Sequence, residues 1–417
     1  MTWSYAEAEE HILDLERFGM RFGLERMHAL LEELGSPQER LEAIHVVGSN
    51  GKSSTTRMAA AILQAHGLRV GAYTSPHIGG FNERVQIDGR DVSRESFAAA
   101  VERAAGAARI IESGREADDK VTQFEALTAA AFLLLEEAGV EVAVVEAGLG
   151  GRLDSTNVLS RSRVQVLTGV SLEHTKVLGE SIAEIAAEKV AVVREGATLV
   201  VGPAVVAEAL EVAEVACAQR GAVLTVAAAD PGVELAARGA FQRRNFAVAM
   251  AAAEAHLGRL DPVAVAEAAA SVVIPGRFEF RAAADGEADL LLDGAHNAEG
   301  ARELARSVQL EFPGRRVVAL VSVLEDKDAE AIVAALAEFC EGIVCTTCSN
   351  PRALPSGALA RIVRDIGARV ADEPEPQSAL ARARKLAGRR GVVVVTGSLY
   401  LLADLGRRSE TGRVSQL

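Results

Sequence analysis

The chain has 417 residues, of which 49% are hydrophobic and 24% are charged, and its formal net charge is −14. This length exceeds one typical folding core, so we expect two domains, and the composition is typical of a globular protein. The acidic balance argues against a broad nucleic-acid-binding surface, although it still allows a small basic pocket.

The sequence predicts neither a membrane span nor a secretory leader. No apolar run approaches the roughly 18 residues of a spanning helix, and the first residues lack a signal-peptide pattern. The four cysteines are too few for a disulfide framework in a chain of this length. Cys345 and Cys348 have zinc-like spacing, but no second pair follows them, so we expect reduced thiols. These features favour a cytoplasmic protein.

Short apolar strands alternate with alanine-rich helical stretches, which favours a parallel α/β sheet. The strands predicted in the first part are 43–47, 70–74, 142–146, 164–169, 198–201 and 222–226. After a gap, further strands are predicted at 290–293, 316–321, 342–346 and 392–396, with helices starting near Glu299 and at Ala329. The small, polar stretch 282–288 suits a linker. We therefore predict a first domain at 1–281 and a smaller α/β domain at 289–417.

The stretch HVVGSNGKSSTT, at positions 45–56, predicts a strand, a glycine turn and the start of a helix. The standard phosphate-loop pattern requires a glycine where Val46 stands, so the match is incomplete. A glycine turn that enters a helix nevertheless leaves aligned backbone N–H groups that can bind phosphate oxygens. Lys52 would add a positive charge, and Ser53 or Ser54 a hydroxyl for a magnesium ion. Taken alone, a structural strand-to-helix turn is an equally good interpretation.

Other chemically useful side chains follow predicted strands or lie in apolar helices. Glu146 ends an apolar strand, where phosphate-loop enzymes keep a metal-binding carboxylate; a solvated glutamate is the alternative. His174 follows the next strand. Lys189 lies among apolar helix residues, where it is either salt-bridged or reactive enough to form a carbamate with carbon dioxide. The stretch 293–297 (DGAHN) is either a turn with an N-cap asparagine or a polar clamp.

Taken together, these stretches resemble the folylpolyglutamate synthase and dihydrofolate synthase enzymes, which are amide ligases of the muramyl-ligase type. The matching segments include GSNGKSS (48–54), YTSPHIGGFNERV (73–85), EAGLGGRLDSTNV (146–158), SLEHTKVLGESIAEIAAEKV (171–190), PGRFE (275–279), DGAHN (293–297) and VTGSLYLLADL (395–405). They run in order across nearly the whole chain, which makes the resemblance more specific than any single motif. It implies a phosphate-loop domain with a mostly parallel sheet, followed by a smaller Rossmann-like α/β domain.

The resemblance also implies an activity, namely ATP-dependent attachment of L-glutamate to the carboxylate of dihydropteroate or a folate through an acyl phosphate. By position, the ATP phosphates would be held by Gly48, Ser49, Asn50, Gly51, Lys52, Ser53 and Ser54. Two magnesium ions would be bound by Ser75, Glu146, His174 and a carbamylated Lys189. The nucleotide would be clamped by Asn245, Arg277, Asp293 and His296. The wall near the acceptor would be formed by Thr122, Phe124, Arg152 and Asp154. The implied catalytic residues are Lys52, Glu146, His174 and Lys189.

Six residues depart from the usual pattern of that family. Serine replaces threonine at Ser49 and glycine at Ser53, glutamate replaces aspartate at Glu173, Val190 and Ala191 replace an alanine-glycine pair, and alanine replaces proline at Ala298.

Two other functions remain as alternatives. A muramyl-type peptide ligase would be expected to carry a further N-terminal domain, whereas here the phosphate loop already begins at Gly48. A nucleotide-binding relative without ligase activity should have lost Glu146, His174 or Lys189, and all three are present. We expect small-molecule substrates and a monomer.

Overall fold

The computed structural model describes residues 2–19, 21–113, 119–283 and 286–406. The chain divides into two compact units. The first unit runs to Glu234 and continues over Arg244–Val272, and the second holds Leu235–Arg243 and the chain from Val273 onward. No helix in the described ranges combines the length and hydropathy that a membrane crossing requires.

The first unit is built on an eight-stranded sheet with the order β4-β3-β2-β5-β1-β6-β7-β8. Its strands are β1 (Ala43–Val47), β2 (Val70–Tyr73), β3 (Val85–Ile87), β4 (Arg90–Asp91), β5 (Val142–Glu146), β6 (Ser162–Leu167), β7 (Thr198–Val201) and β8 (Val223–Val226). Neighbouring strands pair in parallel along the series β2, β5, β1, β6, β7 and β8. Strands β3 and β4 extend the sheet beyond β2 in antiparallel pairing. All residues of β1, β2 and β5 are buried, as is typical of central strands covered on both faces.

Ten helices contribute to the described part of this unit, the last two reached after the chain returns to it. They are α1 (Tyr5–Asp14), α2 (Glu25–Glu33), α3 (Lys52–Ala65), α4 (Arg94–Glu112), α5 (Gln123–Glu137), α6 (Thr175–Leu178), α7 (Ile182–Val190), α8 (Ala207–Arg220), α9 (Ala240–Leu257) and α10 (Pro262–Ser271). Helix α9 begins among residues of the second unit and continues into the first.

The second unit is built on a six-stranded sheet with the order β13-β12-β11-β14-β10-β9. Its strands are β9 (Glu279–Arg281), β10 (Asp289–Leu292), β11 (Val317–Val321), β12 (Gly342–Cys345), β13 (Val370–Asp372) and β14 (Val392–Thr396). Only β9 pairs antiparallel among these strands. The accompanying helices are α11 (Ala298–Glu311), α12 (Ala329–Ala337), α13 (Ser356–Asp365), α14 (Pro376–Ala387) and α15 (Leu399–Gly406).

The predicted fold class is confirmed, and every strand predicted from the sequence is present with its bounds shifted by two residues at most. Four short strands were not predicted, namely β3, β4, β9 and β13. Each has two or three residues, which is too short for an alternation of apolar and polar side chains to show. These strands exist because a longer neighbour offers them a ladder of hydrogen bonds, and this information is not local in the sequence.

The stretch predicted as a linker, 282–288, lies at a different place in the architecture. It joins β9 to β10, which pair as antiparallel neighbours within the second unit, and Ala284 and Asp285 lie outside the described residues. The division between the units falls instead between Val272 and Val273 and around 235–243. Small polar residues are typical of hairpin connections as well as linkers, so composition could not separate the two. Residues 407–417 of the predicted second domain also lie outside the described ranges.

Candidate active site

The predicted phosphate loop connects the central strand β1 to helix α3, which begins at Lys52. Gly48 and Gly51 have φ angles of 148° and 87°, in the region that favours glycine. A Cβ at Gly48 would collide with the Thr168 hydroxyl, and one at Gly51 would lie 2.6 Å from Asn245 Oδ1. Thr168 Oγ1 donates to Asn50 O at 2.6 Å. The loop is therefore fitted closely between the end of β6 and helix α9, and both glycines are required.

Lys52 folds back over this loop, and its Nζ donates to Gly48 O at 2.9 Å and to Ser49 O at 3.1 Å. The hydroxyl of Ser49 accepts a hydrogen bond from Ser171 N at 3.0 Å, which ties the loop to the segment after β6. The N-cap of α3 is Gly51, which has no side chain to cap the N–H groups of the first turn. Backbone donors and an ammonium group therefore meet at one helix end, as an anion site requires.

Glu146 is the last residue of β5, and its side chain is buried beside this loop. Its Oε1 accepts a hydrogen bond from Ser53 Oγ at 2.9 Å, and its Oε2 accepts one from Ser75 N at 3.1 Å. The parallel pairing of β5 with β1 and β2 brings these three residues together at one edge of the sheet. Carboxylate and hydroxyl oxygens are ligands that suit Mg²⁺, so the donor set fits that cation.

Lys189 lies in α7 and is only 1% exposed. Its Nζ donates to Gly48 O at 3.0 Å and to Glu173 Oε1 at 2.9 Å. Burial lowers the pKa of Lys189, and the nearby charge of Lys52 lowers it further, against the opposing effect of Glu173. Burial alone would raise the pKa of Glu173, but Lys189 and Lys52 outweigh it and lower this pKa to about 2. A buried ion pair therefore supports the phosphate loop, and the sequence did not predict Glu173 as its anionic member.

His174 follows Glu173 and is the N-cap of α6, with a φ of 45° that is uncommon for a residue other than glycine. Within the described ranges, no group of three or more His, Cys, Asp or Glu side chains is arranged to hold a metal ion. A magnesium ion beside Glu146 would therefore need ligands beyond these side chains, and hydroxyl groups, phosphate oxygens and water are usual ligands of this cation.

Two residues of the predicted acceptor wall lie at the start of α5. The hydroxyl of Thr122 accepts a hydrogen bond from Glu125 N at 3.3 Å and donates to Glu125 Oε2 at 2.9 Å, so it caps the helix. The ring of Phe124 stacks on Tyr73 with centroids 6.4 Å apart. A Cβ at Gly148 would lie 2.5 Å from Phe124 Cζ. The glycine in the loop after β5 therefore makes room for this ring.

The other two residues of that wall, Arg152 and Asp154, lie on the loop after β5. Arg152 is exposed, and its Nε donates to Glu188 Oε2 at 2.9 Å. Asp154 is buried and accepts hydrogen bonds from Leu149 N at 2.8 Å and from Thr156 N at 3.0 Å. Burial raises the pKa of Asp154, and these hydrogen bonds oppose that rise. Both side chains thus have partners within the protein, and their contact with an acceptor stays a prediction.

Three residues of the predicted nucleotide clamp gather in the second unit. Asp293 is buried just after β10 and accepts hydrogen bonds from Phe278 N and Ala295 N, each at 2.8 Å. Burial raises its pKa, and the charge of Arg277 opposes the rise. A Cβ at Gly294 would collide with the Arg277 guanidinium, which therefore lies against this glycine.

His296 Nδ1 lies 2.8 Å from Gly294 O, and Asn297 caps α11 by accepting from Gly300 N at 2.8 Å, as predicted for an N-cap. The fourth residue of the clamp, Asn245, belongs to the first unit and lies against Gly51.

Cys345 and Cys348 are free buried thiols, and burial raises the pKa of Cys345 to about 12.

Comparison with known proteins gives concordant matches. Residues 276–399 match the family described as Mur ligase, glutamate ligase domain. The dihydrofolate synthase/folylpolyglutamate synthase of Bacillus subtilis is 30% identical to this chain, and the match covers 98% of this chain and 100% of that protein. A probable bifunctional folylpolyglutamate synthase/dihydropteroate synthase of Haloferax volcanii is 35% identical over 96% of this chain, which spans only 50% of that longer protein.

Solved structures agree with these relatives. The folylpolyglutamate synthase of Mycobacterium tuberculosis, complexed with ADP and AMPPCP, matches with a TM-score of 0.88 and 32% identity over 98% of this chain and 100% of that one. Escherichia coli FolC in complex with DHPP and ADP matches with a TM-score of 0.85 and 26% identity over 97% of each chain. Two α/β units, a phosphate loop beside a strand-end carboxylate and these matches define an ATP-dependent ligase of the Mur type. Within that class, the chain belongs to the folylpolyglutamate synthase/dihydrofolate synthase family.

Proposed function

We propose that this enzyme joins L-glutamate to the carboxylate of dihydropteroate or of a reduced folate, with ATP as the energy source and an acyl phosphate as the intermediate. The observation that carries the proposal is the contact of Glu146 with Ser53 directly beside the phosphate loop. It supports the proposal because a buried carboxylate and a hydroxyl next to a glycine turn are groups that suit a magnesium ion bound to phosphates. The names of the full-length relatives and the ligands of their structures support the choice of substrates.

The first step follows from the charges in the loop. The acceptor carboxylate attacks the γ-phosphorus of ATP, the bond to the bridging oxygen breaks, and ADP leaves. Lys52 and the N–H groups at the start of α3 stabilise the negative charge that develops on the phosphoryl oxygens. A magnesium ion held by Glu146 and Ser53, with Ser75 and His174 as the further ligands that the resemblance implies, would supply Lewis-acid neutralisation of the phosphates.

In the second step, the amine of glutamate attacks the acyl carbon, phosphate leaves, and the amine loses a proton. We assign the side of the acceptor to Thr122, Phe124, Arg152 and Asp154. We assign the nucleotide clamp to Asn245, Arg277, Asp293 and His296. A monomeric state and a cytoplasmic location stay predictions from the sequence.

Carbamylation of Lys189 is part of the same proposal. Burial lowers the pKa of Lys189, and the neutral amine is the form that reacts with carbon dioxide. A carbamate would replace the positive charge that faces Glu173 by a negative one. The protein would then need a bound cation to neutralise both groups, so carbamylation and metal binding should occur together.

The test is release of phosphate from ATP in the presence of magnesium and glutamate, with dihydropteroate, a reduced folate, a nucleotide-sugar peptide or no acceptor. We expect release that depends on dihydropteroate or on the folate. Glu146→Gln keeps the size of the side chain but removes its charge, so it should lower the rate by about 10² to 10³. Lys189→Ala should be assayed alongside. Release only with the nucleotide-sugar peptide, or with no acceptor at all, would contradict the proposal.

A further inference from the structure

A chain of buried polar side chains runs from the middle of the first unit's sheet to the loop after β5. His45 lies in the central strand β1 and is 1% exposed. Its Nε2 lies 2.8 Å from Thr156 Oγ1, and that hydroxyl lies 2.5 Å from Asp154 Oδ1. Thr156 is fully buried and Asp154 is 6% exposed, so the protein itself supplies the partners of these groups.

The positions of the protons follow from the number of hydrogens that each group carries. Asp154 also accepts from Leu149 N and Thr156 N. The single hydroxyl hydrogen of Thr156 is donated to Asp154 Oδ1. The same hydroxyl must then accept from His45, whose Nε2 therefore carries the proton.

The loop after β5, which these hydrogen-bonded side chains hold, is in contact with both sides of the proposed site. A Cβ at Gly148 would lie 2.5 Å from Phe124 Cζ, and one at Gly151 would lie 2.5 Å from Lys189 O. The backbone of the loop thus touches the ring assigned to the acceptor and the helix that carries Lys189. A shift of this loop would change both contacts, because neither glycine leaves room for adjustment.

We infer that His45 and Thr156 are positioning residues that fix the loop 148–154 through Asp154 and thereby set the position of the acceptor. The inference rests on the proposed function, because it takes the acceptor to lie against this loop and Phe124. Asp154 then acts mainly through the loop, since both of its carboxylate oxygens accept hydrogen bonds from loop residues.

The test uses pairs of variants that differ in one hydrogen bond. Thr156→Val keeps the shape but removes the hydroxyl, whereas Thr156→Ser keeps the hydroxyl. We expect Thr156→Val to raise the KM for dihydropteroate about tenfold, since an unmatched buried acceptor or donor weakens the loop. The KM for ATP should change less than twofold, and Thr156→Ser should restore most of the loss. His45→Leu should likewise raise the KM for dihydropteroate, whereas His45→Gln, which retains a side-chain donor, should restore most of the loss.

A purely structural role predicts a different result. In that case Thr156→Val would lower the apparent kcat through a smaller folded fraction and leave the KM for dihydropteroate unchanged, which would overturn the inference. Equal effects of valine and serine would also overturn it. Equilibrium binding of dihydropteroate in the presence of a non-hydrolysable ATP analogue gives a second readout that does not require turnover. If the unaltered enzyme neither binds dihydropteroate nor turns it over, the proposed function itself is wrong. This result differs from one in which the unaltered enzyme is active and only the roles inferred for His45 and Thr156 are wrong.

Discussion

The two sheets end in buried carboxylates that have different kinds of partner. At the edge of the first sheet, Glu146 accepts from the Ser53 hydroxyl as well as from Ser75 N, and Glu173, whose side chain is 10% exposed, pairs with the Lys189 ammonium. After β10 of the second sheet, both oxygens of Asp293 accept backbone N–H groups. A hydroxyl or an ammonium can turn toward a ligand, whereas a backbone N–H cannot. The first edge is therefore suited to exchange partners during a reaction, and the second edge is suited to hold a turn in a fixed shape.

The largest effect expected from this difference is on the buried ion pair. Lys189→Met should lower the free energy of unfolding of the first unit by about 3–5 kcal/mol, because Glu173 would be left buried without its cation. Urea unfolding followed by the fluorescence of Trp3, the only tryptophan, reports on this unit.

Two controls make this prediction specific. Arg152→Met breaks a pair of which the guanidinium is exposed, and it should cost no more than about 1 kcal/mol. The double variant Lys189→Met with Glu173→Gln should recover a large part of the loss. Equal costs for Lys189→Met and Arg152→Met would show that burial does not set the cost of breaking the Lys189–Glu173 pair.

A smaller effect is expected at the second edge. Asp293→Ala leaves the N–H groups of Phe278 and Ala295 without their acceptor, at a cost of about 2 kcal/mol. Hydrogen exchange should become faster in peptides that contain these two amides, whereas peptides from β1 should exchange as before. Asp293→Asn retains one acceptor oxygen, so its exchange rates at these two amides should lie between those of the unaltered protein and those of Asp293→Ala. Unchanged exchange at Phe278 would show that this carboxylate does not hold the turn.

An effect of similar size concerns the pH dependence of the first unit. Burial, with a further contribution from Arg194, lowers the pKa of His45 to about 3, against an ordinary value of 6.5. Between these values the unfolded chain binds a proton that the native protein does not, so stability is present above pH 6.5 and is lost as the pH falls. At pH 5 the loss from this group should reach about 2 kcal/mol. His45→Gln should remove that part of the pH dependence, and parallel curves for the two proteins between pH 7 and pH 5 would contradict the assignment.

Much of the fold could be read from the sequence because its signals are local. Four buried valines in a row predict β14, and the serine and glutamate at 181 and 184 form the capping box that starts α7. The phosphate loop could also be located, although the standard pattern fails at Val46, since its strand, turn and helix are adjacent in the chain. The division between the units could not be found in this way, because it depends on contacts between distant segments.

The predicted site residues show the same limit. The sequence located Glu146 at a strand end and Lys189 in an apolar helix, but it left open whether the first is solvated and whether the second is salt-bridged. Their partners Ser75 and Glu173 are known only from the fold. His45 gave no signal at all, since a single histidine in an apolar strand has no periodicity to distinguish it. Only its distance to Thr156, which lies 111 positions away, shows what it contacts.

The position of Lys52 affects which anions can bind at the loop when no substrate is present. Its ammonium already has two acceptors in the carbonyl groups of Gly48 and Ser49, so an arriving anion must offer more than these carbonyls do. A chloride ion, with one charge and no network of oxygens, cannot compensate for that exchange. A triphosphate carries several charges and can engage the N–H groups of α3 at the same time. We therefore expect Lys52 to favour polyphosphates over small singly charged anions at this loop.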